Sequence, residues 1–300
     1  MPTHRVMARI LLTAASLTAA GLMLHSAPAS AAPAINSCGT MKSVTPSTLK
    51  AALAGNGCKT LVMSAGSYSA FSISSHSGGV LTLRCVSKGA CKFASNNRAQ
   101  NVDGLIIDGI QVSGGSNGIY IRGKNIKVQN STFIEQSSSG VTVLPGARSD
   151  NVQIYNNEFR NSRRGCQYNS SNCSGNLTDG TPVAYMDYGL RVHDTNYVEI
   201  KNNKFSTLFN HGISIKYNVT TSLIDGNTFS ACGRNCIDLG QATPASNTAT
   251  VSSNYFGPSR THAVAIRYMR RSLIINNSFV SNGMLNVKQF VRYGTVEGQK

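Results

Sequence analysis

A short phrase recurs through the second half of the chain and restricts its fold more than any other feature: an apolar pair, one or two Asn, a variable residue, then Phe. Ile154-Tyr155-Asn156-Asn157-Glu158-Phe159 is a complete copy, and the copies end at Phe133, Phe159, Phe205, Phe229, Phe256 and Phe279. The gaps between these Phe residues are 26, 46, 24, 27 and 23 residues, so the 46 reads as one period plus an insertion. A period of roughly 20–30 residues signals stacked supersecondary units. Nothing in the unit has helical periodicity, which predicts an all-β solenoid of short strands.

Each unit carries a second phrase, a small residue followed by alternating apolar positions. In register these are Gly118–Arg122, Gly140–Leu144, Gly189–His193, Gly212–Lys216, Cys236–Gly240 and Ala263–Arg267. Strand side chains alternate between faces, so the aliphatic residues are expected inside and the others outside. Phe residues are expected to stack within, and Asn residues at the turns to hydrogen-bond from coil to coil. Ahead of the repeats, Thr45-Pro46-Ser47-Thr48, then Leu49–Ala54 and Gly55, predict one short helix that caps the open end of the solenoid. The cap is placed at about residues 32–60.

The amino terminus reads as an export signal. Arg5 and Arg9 form a basic start, Ile10 to Leu24 an apolar core, and Ala29-Ser30-Ala31 a cleavage site. Residues 1–31 are therefore expected to be removed, leaving 32–300 as a secreted β-solenoid domain. The apolar core is too short to anchor the chain in a bilayer, and no membrane association is expected. The eight Cys fall into neighbouring pairs, Cys38 and Cys58, Cys85 and Cys91, Cys166 and Cys173, Cys232 and Cys236. In an exported chain such pairs suggest local disulfides rather than metal ligation, for which the CxxC and Cys/His spacings are lacking.

Charge narrows the partner. The chain has 28 Lys plus Arg against 12 Asp plus Glu, a net of +16, of which Arg5 and Arg9 account for two. Such an excess concentrates polyanions. There is no Trp and no basic stretch interleaved with aromatics, which argues against nucleic acid. For an exported protein the expected partner is an acidic polysaccharide, bound by a monomer.

The outward positions locate a candidate site. The last outward residue of each second phrase gives Arg122, Leu144, His193, Lys216, Gly240 and Arg267; two residues earlier stand Tyr120, Thr142, Arg191, Ser214, Asp238 and Ala265. Adjacent parallel strands lie about 4.8 Å apart, so Arg191, His193 and Lys216 are expected side by side on one exposed flank. Cations on an outer strand face are ordinarily just solvated. Here, however, a titratable imidazole lies between cations, on the coil that follows the longest insertion. That insertion, about residues 160–187, carries Arg163 and Arg164 between the strands and could wall a groove. Arg122, Arg163, Arg164, Asp238 and Arg267 are the candidate substrate-binding residues.

With these phrases in place, the chain resembles the right-handed parallel β-helix families, among them pectate-lyase-like enzymes, polygalacturonases and alginate C5-epimerases. The resemblance implies a right-handed parallel β-helix. Tyr188-Gly189-Leu190-Arg191-Val192-His193-Asp194, followed by Asn210-His211-Gly212, resembles the epimerase signature. Arg191 and Val192 stand where that signature has Asp and Pro. The resemblance implies proton-transfer roles for Tyr188, His193 and His211. Alginate and chondroitin lyases of the same fold use a basic pair on adjacent coils, and His193 with Lys216 occupies a similar relation here.

The chemistry expected of this ladder is β-elimination on a uronate. A cation on the C6 carboxylate stabilises the enolate-like charge, a base removes the C5 proton and an acid protonates O4. Flanking cations would keep the His193 imidazole neutral and fit for the base role, with Arg191 or Lys216 on the carboxylate and Tyr188 as the acid. Glycoside hydrolysis needs converging carboxylates, and calcium needs an Asp/Glu cluster; the sequence shows neither, so no cofactor is expected. The reading is a secreted lyase acting on an acidic, uronate-containing polysaccharide such as alginate. A mannuronan-type C5-epimerase and a non-catalytic polyanion-binding β-helix are the alternatives.

Overall fold

The repeat phrase has a direct structural meaning. In a computed structural model, the residues described are 34–36, 38–145, 149–161, 186–208, 210–240, 247–259, 261–267, 269, 271–280 and 287–290. In each copy the first residue of the Asn pair takes the left-handed conformation: Asn130, Asn156, Asn202, Ser253 and Asn276 have φ between 53° and 56°, and Gly226 replaces Asn at φ 64°. Asn and Gly tolerate that region best, so the phrase encodes a corner.

The second Asn points inward and forms a ladder. The side-chain oxygen of Asn203 accepts from the backbone N–H of Asn157 at 2.9 Å and from its amide at 3.1 Å, while the amide of Asn203 donates to Ile154 O at 2.8 Å. Asn227, Asn254 and Asn277 repeat the pattern. The amides of Asn157, Asn203, Asn227 and Asn254 are buried and that of Asn277 half-buried, yet their polar atoms find partners on the neighbouring coil, which removes the cost of burying them.

Phe closes the phrase and fills the interior. Phe133, Phe159, Phe205, Phe229, Phe256 and Phe279 form one column, with ring centroids 4.8–5.1 Å apart and planes within 10° of parallel. Phe159 stacks directly on Phe205 at 5.0 Å, so the 46-residue gap is a single coil with an insertion, as the spacing predicts. The small residue of the second phrase lies against this column. A Cβ on Gly140 would sit 2.5 Å from Phe159 Cδ1, and one on Gly189 would sit 2.6 Å from Phe205 Cδ1. Phe and Gly are thus two halves of one packing unit, supplied by different strands.

All registered strand pairs are parallel, and they form three series. One series runs as a nine-stranded sheet from Gly66–Tyr68 to Ser278–Phe279. The other two form a single 17-stranded sheet, because Asn97–Asp108 and Asn117–Gln129 run through both series before the corners sharpen. Three faces around an aliphatic and aromatic core make a parallel β-helix. The predicted short helix is present as Leu49–Ala52, with Leu49 buried in the core. Thr48 makes no side-chain cap to the helix; its Oγ1 instead accepts from the Thr45 N–H at 2.9 Å. Disulfides join Cys38 to Cys58, Cys85 to Cys91 and Cys232 to Cys236, as their proximity suggests. The Cys166–Cys173 pair, the export signal at 1–31, and Arg163 and Arg164 lie outside the described residues.

Gly140→Ala is expected to destabilise the protein by about 1–3 kcal/mol through overpacking against Phe159, read as a lower urea midpoint. Asn203→Ala is expected to cost roughly 1–3 kcal/mol for each group it leaves unpaired. An unchanged midpoint in either variant would contradict the packing described.

Candidate active site

Backbone pairing brings the predicted residues together. Thr142, Arg191, Ser214, Asp238 and Ala265 are register partners on successive coils. Val192 pairs with Ile215, which places His193 and Lys216 next to one another at the following position, and the Lys216 N–H donates to Val192 O at 2.9 Å. Tyr188 pairs with His211. Tyr188, Arg191, His193, His211 and Lys216 therefore share two adjacent coils. Asp238 follows one coil later and Arg267 two. Arg122 stands two coils before His193, and its Nη2 donates to Pro145 O at 2.7 Å.

The flank is recessed rather than open, which corrects the expectation of an exposed face. His193 is 5% exposed and His211 is 2% exposed. Long planar side chains on neighbouring coils lean over one another and cover the imidazoles. The His193 ring lies against Tyr217 at 5.1 Å, the His211 ring against Tyr188 at 5.5 Å, and the Arg191 guanidinium covers the Tyr188 ring at 4.9 Å.

Burial sets the charge state of these groups. Desolvation, reinforced by Arg191 and Lys216, lowers the His193 pKa to about 4. Desolvation also lowers His211 to about 4, against the opposing pull of Asp238. His211 Nδ1 lies 3.2 Å from Asn235 O; a carbonyl only accepts, so the neutral ring carries its proton there and presents Nε2 as a lone pair. His193 Nδ1 is buried without a hydrogen-bond partner. The Tyr188 phenol is raised above its usual value, chiefly by burial and then by Asp187, so it keeps its proton. Two neutral imidazoles and a protonated phenol thus stand beside two cations.

Asp238, expected to contact substrate, is 1% exposed and engaged internally. Its Oδ2 lies 3.7 Å from Lys216 Nζ and 3.8 Å from His211 Nε2, and its Oδ1 lies 3.4 Å from Arg267 Nη2. A carboxylate so enclosed aligns the cations of two coils, one on either side of its own. Both Lys216 and Arg267 remain partly exposed.

Three neighbours escaped the sequence reading. Asp187 has its carboxyl pKa raised by burial, opposed by a hydrogen bond from Asn210 and by Arg191 and Lys216. Asn210 also donates to Tyr188 Oη at 3.4 Å, and Asn235 fixes His211. Asn235 belongs to a third row, in which Asn117 pairs with Ser139, Ser139 with Tyr188, Tyr188 with His211 and Asn235 with His262, while Asp187 and Asn210 stand one position ahead of Tyr188 and His211. Strict alternation misses this row, because two successive residues, Gly189 and Leu190, both face the core between Tyr188 and Arg191. Among the described residues, no group of three or more His, Cys, Asp or Glu could hold a metal ion.

Comparison with known proteins agrees with this architecture. Residues 91–279 match the family model described as "right handed beta helix region". No curated protein sequence matches the chain. Among solved structures, pectate lyase Pel9A superposes with a TM-score of 0.58 at 12% identity, over 89% of this chain and 79% of its own. A PL6 alginate lyase in complex with a trisaccharide gives 0.57 at 16% identity, over 85% of this chain and 57% of that one. An alginate lyase from Paenibacillus sp. str. FPU-7 gives 0.51 at 14% identity, over 83% and 98%. At these identities the likeness is one of fold.

The two depressed imidazoles make stability depend on pH. Unfolded His titrates near 6.5 and the folded rings near 4, so between these values the unfolded chain binds more protons. The stability these two groups contribute is complete above about pH 6.5 and is lost as pH falls toward 4. The melting midpoint should drop across this window, and His193→Asn should flatten the drop. An equal slope in wild type and variant would count against a buried neutral His193.

Proposed function

Since this chain belongs to the right-handed β-helix family, we propose that it is a secreted polysaccharide lyase that cleaves a uronate-containing polymer such as alginate by β-elimination. One observation carries the reading: buried, neutral imidazoles and a protonated tyrosine lie in register beside Arg191 and Lys216 on adjacent coils. The net charge of +16 suits a polyanionic substrate. The disulfides suit an oxidising, extracellular setting, and the solved structures of similar fold include pectate and alginate lyases.

In this reading Arg191, with Lys216 beside it, grips the C6 carboxylate of the bound uronate and stabilises the charge that develops when C5 is deprotonated. His193 takes the C5 proton. The electron pair of the C5–H bond becomes the C4–C5 double bond, the C4–O4 bond breaks, and O4 takes the proton of Tyr188. The imidazolium and the tyrosinate then re-equilibrate with water. The elevated pKa of Tyr188 keeps it loaded as the acid, and the depressed pKa of His193 keeps it unprotonated as the base. Asp238 takes no part in proton transfer and holds Lys216 and Arg267 in place.

Epimerisation at C5 shares the first step and differs in returning a proton to the opposite face of the same carbon. It is favoured as the second reading by the placement of Tyr188 at the start of one strand and of His193 just past its end, where they could address a sugar from two sides.

Incubation with alginate, pectate, polyglucuronate or chondroitin should produce ultraviolet absorbance from unsaturated ends. Exchange of the C5 proton without absorbance would replace the lyase by the epimerase, and binding with neither would leave a polyanion-binding module. His193→Ala is expected to lower kcat by about 10²–10⁴-fold with the circular dichroism spectrum retained. Full turnover in a folded His193→Ala protein would move the base to His211. The acid limb of the wild-type kcat profile should fall near pH 4 rather than near 6.5.

A further inference from the structure

Tyr217 departs from the corners of the coils before it. The residues that follow the last outward position on the three preceding coils are Gly123, Pro145 and Asp194, all suited to turns, whereas the sequence has Gln241 and Tyr268 at that position on the two coils after. Tyr217 stands at the same place with φ 54°, and it is the only aromatic among the described non-glycine residues with positive φ. A bulky side chain in that region carries a steric penalty, and such penalties concentrate at functional sites. Its ring is stacked over His193, directly after Lys216, yet the residue remains 46% exposed. The corner is fastened to the preceding one by Asn218 Nδ2, which donates to Asp194 Oδ1 at 2.9 Å. An aromatic ring is thus held at the rim of the recess, one side against a buried imidazole whose Nδ1 has no protein partner.

We propose that Tyr217 is a sugar-binding platform: its exposed ring receives the apolar C–H face of the pyranose next to the uronate held by Arg191 and Lys216. The inference rests on the function proposed above and adds a residue that fixes where the chain sits. Amphipathic rings suit this task, since they offer apolar area at low cost in conformational entropy. The neighbouring cations bind the carboxylate but cannot discriminate the ring face. Tyr217 supplies that contact and keeps the sugar over His193.

The test compares Tyr217→Phe, Tyr217→Ala and Tyr217→Gly. Gly removes both the ring and the steric penalty, so its melting midpoint should equal or exceed that of wild type. The expected result is that Phe stays within twofold of wild type. Ala and Gly should raise KM for the cleaved polymer roughly 3- to 10-fold, the size of one aromatic stacking contact; by uncovering His193 they should also move the acid limb toward the ordinary imidazole range, with kcat above that limb kept. An unchanged KM in the Gly variant overturns the proposal. So does a displaced acid limb with KM unchanged in the Ala variant, which would make Tyr217 a cover for His193 only. Calorimetric titration with alginate tetrasaccharide separates this inference from the lyase reading. If wild type binds without turnover, weaker binding by Tyr217→Gly upholds the platform while the lyase assignment fails, and equal binding overturns the platform. No binding by wild type to alginate, pectate or chondroitin oligosaccharides overturns both.

Discussion

Coil-to-coil stacking at one fixed spacing is the constraint from which the rest of this molecule follows. Parallel strands set neighbouring coils about 4.8 Å apart, and the interior is built to match. The Phe column repeats at 4.8–5.1 Å, and the Asn ladder spans the same gap with paired hydrogen bonds. Neither device tolerates slippage. A shift of one residue would turn Phe toward solvent and leave buried amides unpaired. The register is therefore strongly specified, and a specified register lets outward residues on distant stretches of sequence meet at predictable separations.

The site follows from that register. Tyr188, Arg191 and His193 come from one coil and His211 and Lys216 from the next, with the backbone ladder setting their relative height. Above the sheet, side chains large enough to reach the adjacent coil lean together, and the resulting cover desolvates both imidazoles. Desolvation is the larger cause of their low pKa, with the cations adding to it. The same crowding draws Asp238 into contact with Lys216 and Arg267. A net positive face thus contains one fully enclosed carboxylate, which fixes the positions of its cations without neutralising the whole track.

Much of this was legible in the chain itself. The Asn–Asn–x–Phe phrase announced corners, ladder and column together, because each role selects a residue type: left-handed φ selects Asn or Gly, a buried coil-to-coil bond selects an amide, and the column selects a flat ring. Neighbouring Cys residues announced three of the bridges that the described residues contain. The ladder of Arg191, His193 and Lys216 was also readable by simple alternation. Alternation failed at the row containing Ser139, Tyr188 and His211, where two consecutive inward residues shift the phase. Asp187 and Asn210 lie one position ahead of that row, outside the alternating phrases, and so were overlooked; they now stand beside Tyr188.

The sequence alone determined the architecture, since a periodic pattern of corner, ladder and stacking residues is a local code repeated along one dimension. It also determined that Arg191, His193 and Lys216 would meet on adjacent coils. Only the tertiary structure decided how those rows are covered. The burial of His193, the enclosure of Asp238 by three side chains and the strained placement of Tyr217 over an imidazole all depend on how side chains from different coils pack above the sheet. That packing is set by shape and desolvation between residues far apart in the chain, for which periodicity carries no signal.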